Sequence, residues 1–344
     1  MKKRSRLLLP VIMATLLLPF AACGGDGGEP AASASGGTSS SGAASGDMPT
    51  IGITQLVSHP ALDQITAGII ARLKEEGYVD GKTAHIDVQN AQGDTSLTST
   101  IAQKFVDDKV DVIAPVTTPS AQAAVKATQG TNIPVVFSGV SDPIAAGLLK
   151  SRQKTQANVT GVSNFDPIPP VMDWIGKILP DVATIGVMYN GGEANSVASV
   201  NEIKSEAAKR GWKIVDASVT STNDVQATAL DVVGRVDALY VPNDNTVVSA
   251  LEAVVKAAQD AKIPLFVNDS SSVERGALLA VGHDNFELGR QAGALIVEVL
   301  KGKKVSKVTP EDVAQRELFL NKKAADAIGL TLPKEALDTG KMLG

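Results

Sequence analysis

An order of motifs set out between residues 51 and 135 returns about 130 residues later, and this doubling limits the fold more than any other feature of the chain. Ile51-Gly52-Ile53 is echoed by Ile185-Gly186-Val187, and Gly77-Tyr78 by Gly211-Trp212. Val110-Asp111 with Pro115 returns as Val236-Asp237 with Pro242, and Ile133-Pro134-Val135 as Ile263-Pro264-Leu265. Solenoid units run to only roughly 20–45 residues, so a period this long describes two similar lobes rather than an array.

Within each lobe, short β-branched runs alternate with helical segments, the pattern of βα units on a parallel sheet. Ile51-Gly52-Ile53 reads as a buried strand. Leu62, Ile65, Ile69 and Leu73 then recur at helical spacing until Gly77 stops the helix. Strand His85 to Gln89, helix Leu97 to Asp107, strand Asp111 to Val116, helix Ala121 to Thr128 and strand Pro134 to Val140 follow. The predicted fold class is α/β, with two similar doubly wound parallel-sheet lobes. With 44% of residues hydrophobic and 20% charged, the composition suits packed cores and excludes wholesale disorder.

The first fifty residues read as an address and a tether. Lys2, Lys3, Arg4 and Arg6 form a cationic start, and the apolar stretch Leu7 to Ala22 is short for a membrane span. It ends in Phe20-Ala21-Ala22-Cys23-Gly24, which resembles the bacterial lipobox; the pattern usually has Leu where Phe20 stands. The resemblance implies a signal peptide over 1–22 and a diacylglycerol on Cys23, the only cysteine of the chain. An ordinary secretory signal with an incidental thiol is the competing reading. Residues 23–48, rich in Gly, Ser and Ala, cannot bury enough apolar area to fold and read as a flexible tether. The expected location is the extracytoplasmic face of the bacterial membrane. The 32 basic residues fall to 28 against 37 acidic ones once the leader is removed, a balance of −9 that repels nucleic-acid phosphates.

In open α/β sheets ligands sit beyond the carboxyl ends of the strands, so the residues after each apolar run are the candidate site. In the first half these are Gln55 and His59, then Thr117, Thr118 and Ser120, then Ser138 and Ser141. In the second half they are Tyr189, Glu193 and Asn195, then Asn243, Asp244 and Asn245, then Asn268 and Asp269, with Asp284 beyond. Each also suits a helix cap. Thr118-Pro119-Ser120 places a hydroxyl before a helix-starting proline and leaves amides free for a carboxylate. Asp244 and Asp269 face the same notional cleft, one as a cap and one to meet an ammonium group. An anion site opposite a carboxylate suits a zwitterion, so an amino acid is the expected solute. Tyr189, Phe137 and Phe165 are the aromatic candidates for the cleft, whereas Trp174 and Trp212 read as packing residues.

Several runs together resemble the solute-binding lipoproteins of ABC importers, of the tryptophan or aromatic amino-acid type. They include His59-Pro60-Ala61-Leu62-Asp63, Asn90-Ala91-Gln92-Gly93-Asp94, Thr118-Pro119-Ser120-Ala121-Gln122 and Ser141-Asp142-Pro143. Gly192-Glu193-Ala194-Asn195-Ser196, Val241-Pro242-Asn243-Asp244-Asn245-Thr246-Val247 and Leu288-Gly289-Arg290 extend the match over residues 50 to 335. The resemblance implies a periplasmic-binding-protein fold of type I, a solute held between two lobes joined by a three-segment hinge, an ABC permease as partner, and a monomer. By the same analogy strand Ala277 to Asp284 and helix Phe286 to Leu300 return to the first lobe, while Leu318-Phe319-Leu320 and helix Lys322 to Ile328 finish on the second. The lobes are then 49–160 with 277–306, and 161–276 with 307–344. Asn285 departs from the pattern, which more often has an aromatic residue there.

Enzyme readings meet geometric objections, and no cofactor is expected. Gly81-Lys82-Thr83 resembles the end of a phosphate loop, but Glu76 stands where the earlier glycine belongs. Pro143 stands where a nucleophile elbow beginning at Gly139-Val140-Ser141 needs its last glycine. His59, His85 and His283 lack the spacing of a zinc site. A surface sensor coupled to a signalling partner, and a hydrolase on the same cleft, remain the alternatives from other classes.

Overall fold

The computed structural model describes residues 48–151 and 158–344. The signal-peptide reading of 1–22, the lipidation of Cys23 and all but the last residue of the 23–48 tether lie outside the described residues. Among the described residues no helix is long and apolar enough to cross a membrane.

The first lobe opens with β1 (Thr50–Gln55), α1 (Pro60–Glu75), β2 (His85–Asn90), α2 (Thr95–Asp107), β3 (Val112–Val116), α3 (Thr118–Ala127), β4 (Val135–Val140) and β5 (Val159–Ser163). Every residue of β3 and β5 is buried, as expected of strands covered by helices on both faces, while the edge strand β2 is polar and partly exposed. The second lobe follows with α4 (Ile168–Ile178), β6 (Thr184–Asn190), α5 (Ala194–Arg210), β7 (Lys213–Val219), α6 (Val225–Val232) and β8 (Ala238–Val241). It continues through α7 (Asn245–Ser249), α8 (Leu251–Ala261), β9 (Leu265–Val267), α9 (Ser270–Glu274) and β10 (Leu279–Gly282). The chain then adds α10 (Asn285–Leu300), β11 (Glu311–Asp312), β12 (Glu317–Leu320), α11 (Lys322–Ile328), α12 (Lys334–Thr339) and β13 (Lys341–Met342).

The two sheets run β11-β5-β4-β3-β1-β2 and β13-β12-β10-β9-β8-β6-β7. Taken from each lobe's own first strand, both follow the order 2-1-3-4-5, the doubly wound arrangement that the motif repeat foretells. Among the described residues only the pairing of β10 with β12 is antiparallel. Each sheet is packed on two faces, around Ile53, Ile69 and Ile296 and around Phe105 and Phe137 in the first lobe. In the second lobe the cores surround Tyr240 and Phe266, and Leu239 and Leu251. Trp174 and Trp212 lie against the former, consistent with packing roles.

The expected return of strand Ala277 to Asp284 to the first lobe is wrong. β10 pairs with β9 through Leu279 opposite Phe266, and antiparallel with β12, so it belongs to the second sheet. Only helix α10 returns, because its apolar face, Leu288, Ala292 and Ile296, fills the first-lobe core. β5 through Ser163 and the short β11 likewise belong to the first sheet, where Glu311 pairs with Val162. The chain therefore passes between the sheets at 164–167, 283–284 and 313–316.

Helix α10 lies along α1 at backbone contact. A Cβ on Gly289 would stand 2.0 Å from the Ile65 carbonyl oxygen, and one on Gly68 would stand 2.1 Å from that of Phe286. Glycine at both positions lets the helices close, which fixes the amino-terminal end of α1 beside the start of α10.

Candidate functional site

The strand order reverses between β1 and β3 in one sheet and between β6 and β8 in the other. The two reversal points face one another across a cleft of about 450 Å3, counted to its mouth. From the first lobe it is lined by His59, Ala61, Leu62 and Ile65 of α1 and its cap, by Thr117 and Thr118, and by Gly139 and Ser141. The second lobe contributes Asn195, Asn243, Asp244, Asn245, Val248 and Asp269. Asn164 and Asn285, beside the first two crossovers, complete the wall.

The lobes bring opposite chemistry. Helices α1 and α3 both begin with proline near the first turn, and neither has a side-chain cap. The positive ends of these helices of 16 and 10 residues reach the cleft, where His59, Ala61 and Leu62 of the one and Thr117 and Thr118 of the other line the wall. Around α3 the hydroxyls of Thr117, Ser120 and Ser138 are buried without hydrogen-bond partners. Thr117 itself holds a φ of 80°, a costly conformation for a β-branched residue. The second lobe instead presents carboxylates. Asp244 accepts from the Val247 amide at 2.7 Å, the Asn190 amide at 2.6 Å and the Ser196 hydroxyl at 2.6 Å. Burial, reinforced by the neighbouring Glu193, pushes its carboxyl up to about 7. Asp269 accepts from the Ser272 amide at 2.9 Å and from the Ser271 hydroxyl through the same oxygen. Its second oxygen has no hydrogen-bond partner among the described residues.

His59, 7% exposed, has both ring nitrogens unpartnered. Burial lowers it to about 4 against the pull of Asp269, so its ring is neutral near pH 7, with one donor and one acceptor to offer. Asn164 Oδ1, Asn195 Oδ1 and Asn285 Nδ2 are also buried without partners. Asn243 donates to Asp166 on the first crossover, and burial raises that carboxyl to about 6.

Of the sequence candidates, His59, Thr117, Thr118, Ser141, Asn195, Asn243, Asp244, Asn245 and Asp269 line the cleft. Nine do not. Gln55 donates to Asp63 and accepts from Thr66, behind the cleft wall. Ser120 and Ser138 lie one layer beneath the surface. Asn268 accepts from the Tyr240 hydroxyl at 2.7 Å in the core. Glu193 accepts from the amides of Asn245 and Thr246 and from the Thr246 hydroxyl, so it positions α7. Tyr189 packs on the second-lobe core, and Phe137 is fully buried in the first. Phe165 is absent from the lining too, which contains no aromatic ring except that of His59. Asp284 caps α10 and faces a different cavity. Asn164 was missed, although it directly follows β5 and the strand-end rule reaches it once that strand is recognised.

Residues 50–341 match the family model described as ABC transporter substrate binding protein. The chain belongs to this family. A tyrosine-binding protein of Clostridioides difficile is 40% identical over 280 residues, 81% of this chain and 81% of that one. The structure of a Streptococcus pneumonia ABC domain in complex with L-Trp is 36% identical, with a TM-score of 0.82 over 86% of this chain and 99% of that one. A ligand-free, open substrate-binding protein with adhesive properties, from Clostridium difficile, is 39% identical over 86% of this chain and 100% of that one, yet its TM-score is only 0.64. Sequence divergence does not account for the gap between the last two. Over its whole length this chain superposes more fully on the tryptophan complex than on the ligand-free, open structure. Proteins of this family are extracytoplasmic, take a small solute and work with an ABC permease, and these relatives are solute-binding proteins rather than enzymes.

Proposed function

We propose that this protein is a monomeric, lipid-anchored receptor that closes two lobes over an aromatic amino acid and delivers it to an ABC permease. The charge asymmetry of the cleft carries the reading. Bare amino-terminal ends of α1 and α3 suit the carboxylate of the solute, and the free oxygen of Asp269 suits its ammonium group. Leu62, Ile65 and Val248 offer an apolar wall for a side chain. The unpartnered atoms of His59, Asn164, Asn195 and Asn285 supply the remaining hydrogen bonds. The names of the tyrosine-binding relative and of the tryptophan complex support the aromatic class.

Solute contacts both lobes only when they are closed, so its differential affinity shifts the population toward the form a permease reads. The three crossovers act as the hinge. Residues 1–22 direct export, Cys23 carries the lipid, and the tether to residue 48 holds the lobes near the membrane. Replacing Cys23 by Ser is expected to release the protein from the membrane fraction.

The test is thermal unfolding of residues 48–344 with amino acids, sugars and nucleosides. A ligand at 100 times its Kd adds about 2.7 kcal/mol to the native state, a shift of several degrees. Asp269→Asn keeps the helix cap but removes the charge, and is expected to weaken binding by at least about 2 kcal/mol. A shift with sugars alone, or none with any amino acid, sinks the proposal.

A further inference from the structure

A second cavity, larger than the cleft, lies across the crossover wall from it. It holds about 1080 Å3, counted to its mouth, and no residue lines both. Its walls come from Arg72 of α1, from α10, from His283 and Asp284 on the second crossover, and from Val313 to Gln315 on the third. We propose that this hinge cavity is a second ligand site, which takes a small organic carboxylate with an apolar body and is coupled to closure of the cleft.

The head group follows from what the wall leaves unpaired. Arg72 Nε and His283 Nε2 are both buried without a partner, and His283 is only 4% exposed. Arg72 Nε can only donate, so the group missing there is an acceptor, while the neutral His283 ring, which also engages the Asn285 side chain, offers Nε2 in either role. The other end of the guanidinium is engaged, with Nη2 on Glu76 at 2.9 Å. A carboxylate oxygen meets this need with charge assistance from the arginine. The lining also holds three acids, Asp284, Glu287 and Glu317, all of them exposed at the rim, where water solvates them. Asp284 spends one oxygen capping α10, and Glu287 lies 3.4 Å from Arg290. Leu288, Ala294 and Val313 make the apolar part of the wall.

The coupling follows from the shared crossover. His283 and Asp284 face the hinge cavity, and Asn285 faces the cleft. The cavity has this shape in a chain that superposes on the tryptophan complex with a TM-score of 0.82 over 99% of that chain. A ligand that spans the second and third crossovers therefore favours the closed arrangement, and by reciprocity closure favours that ligand.

The experiment is calorimetric titration of benzoate, and of acetate as the head group alone, into residues 48–344, a segment that contains every core cluster of both lobes. In protein already saturated with L-tryptophan, benzoate should bind once per chain, with acetate at least about tenfold weaker. Benzoate should also tighten tryptophan binding by at least about threefold. Ala294→Trp, which fills the cavity, and Arg72→Met, which removes the donor, should each weaken benzoate at least about tenfold while solute binding persists. Arg72→Met serves as the decisive variant if Ala294→Trp does not fold. Absence of saturable benzoate binding, its displacement by tryptophan, equal binding of acetate, or indifference to both substitutions would overturn the proposal. The coupling arm rests on tryptophan as the solute, which titration of tryptophan alone checks separately; Arg72 and Ala294 lie outside the cleft, so the variants read the hinge cavity.

Discussion

Replacing Gly289 by Ala tests the helix pair that sets the cleft wall. The new methyl group would lie 2.0 Å from the Ile65 carbonyl oxygen and 3.0 Å from Gly68 Cα, against backbone on both counts. No rotamer relieves such a contact, so α1 and α10 must part. Alanine gains about 1 kcal/mol over glycine in a helix interior. Overpacking costs about 1–3 kcal/mol and occasionally more, and backbone collision places this site at the upper end or beyond. The net effect is a loss of about 2 kcal/mol, or roughly 3 °C in Tm for about 300 folded residues. Because α1 brings Ala61, Leu62 and Ile65 to the cleft and α10 brings Asn285, solute affinity should fall about tenfold as well. Gly234→Ala is the control, since a Cβ there meets nothing within 4 Å. Calorimetric melting and solute titration of the two variants read both effects. A Gly289→Ala protein that melts with or above the wild type would refute the close-packing argument.

Other expectations concern the cleft. Glu193→Ala strands the amides of Asn245 and Thr246 and should cost about 2–3 kcal/mol in urea denaturation. Thr117→Gly relieves a φ of 80° at the start of α3, so the free protein should gain about 1 kcal/mol while losing affinity for solute. Asp244 holds its proton up to about pH 7 when folded but releases it near 4 when unfolded. Its contribution to stability is therefore present below about pH 4 and lost as pH rises through about 7, by up to about 1.4 kcal/mol per pH unit. Asp244→Asn should gain on the wild type between pH 5 and pH 8 in denaturation measurements; a constant difference would contradict the burial argument.

The twofold plan was legible because several strand and helix ends recur at matched glycines and prolines. The doubly wound class of each lobe followed from it, and so did the residues at the mouths of β3 and β8. Strand β10 was misplaced because its apolar run, Leu279 to Val281, fits either sheet; only its pairing with β9 and β12 decides. The strand-end rule also could not separate a residue that faces the cleft from one that supports it. Glu193 and Asn195 belong to the same turn, but Glu193 is consumed by α7 while Asn195 leaves Oδ1 free. Nor does spacing reveal that Tyr189 turns toward the core, since a tyrosine with an apolar body satisfies either environment.

The most direct measurement of the central claim is calorimetric titration of L-tyrosine and L-tryptophan beside tyramine, tryptamine and 3-(4-hydroxyphenyl)propionate, each analogue lacking one charged group. Carboxylate held at helix amino termini and ammonium held by Asp269 predict that the amino acids bind and each analogue is at least about 100-fold weaker, the loss of a desolvated charge pair. An analogue that binds as tightly as the amino acid would contradict the account.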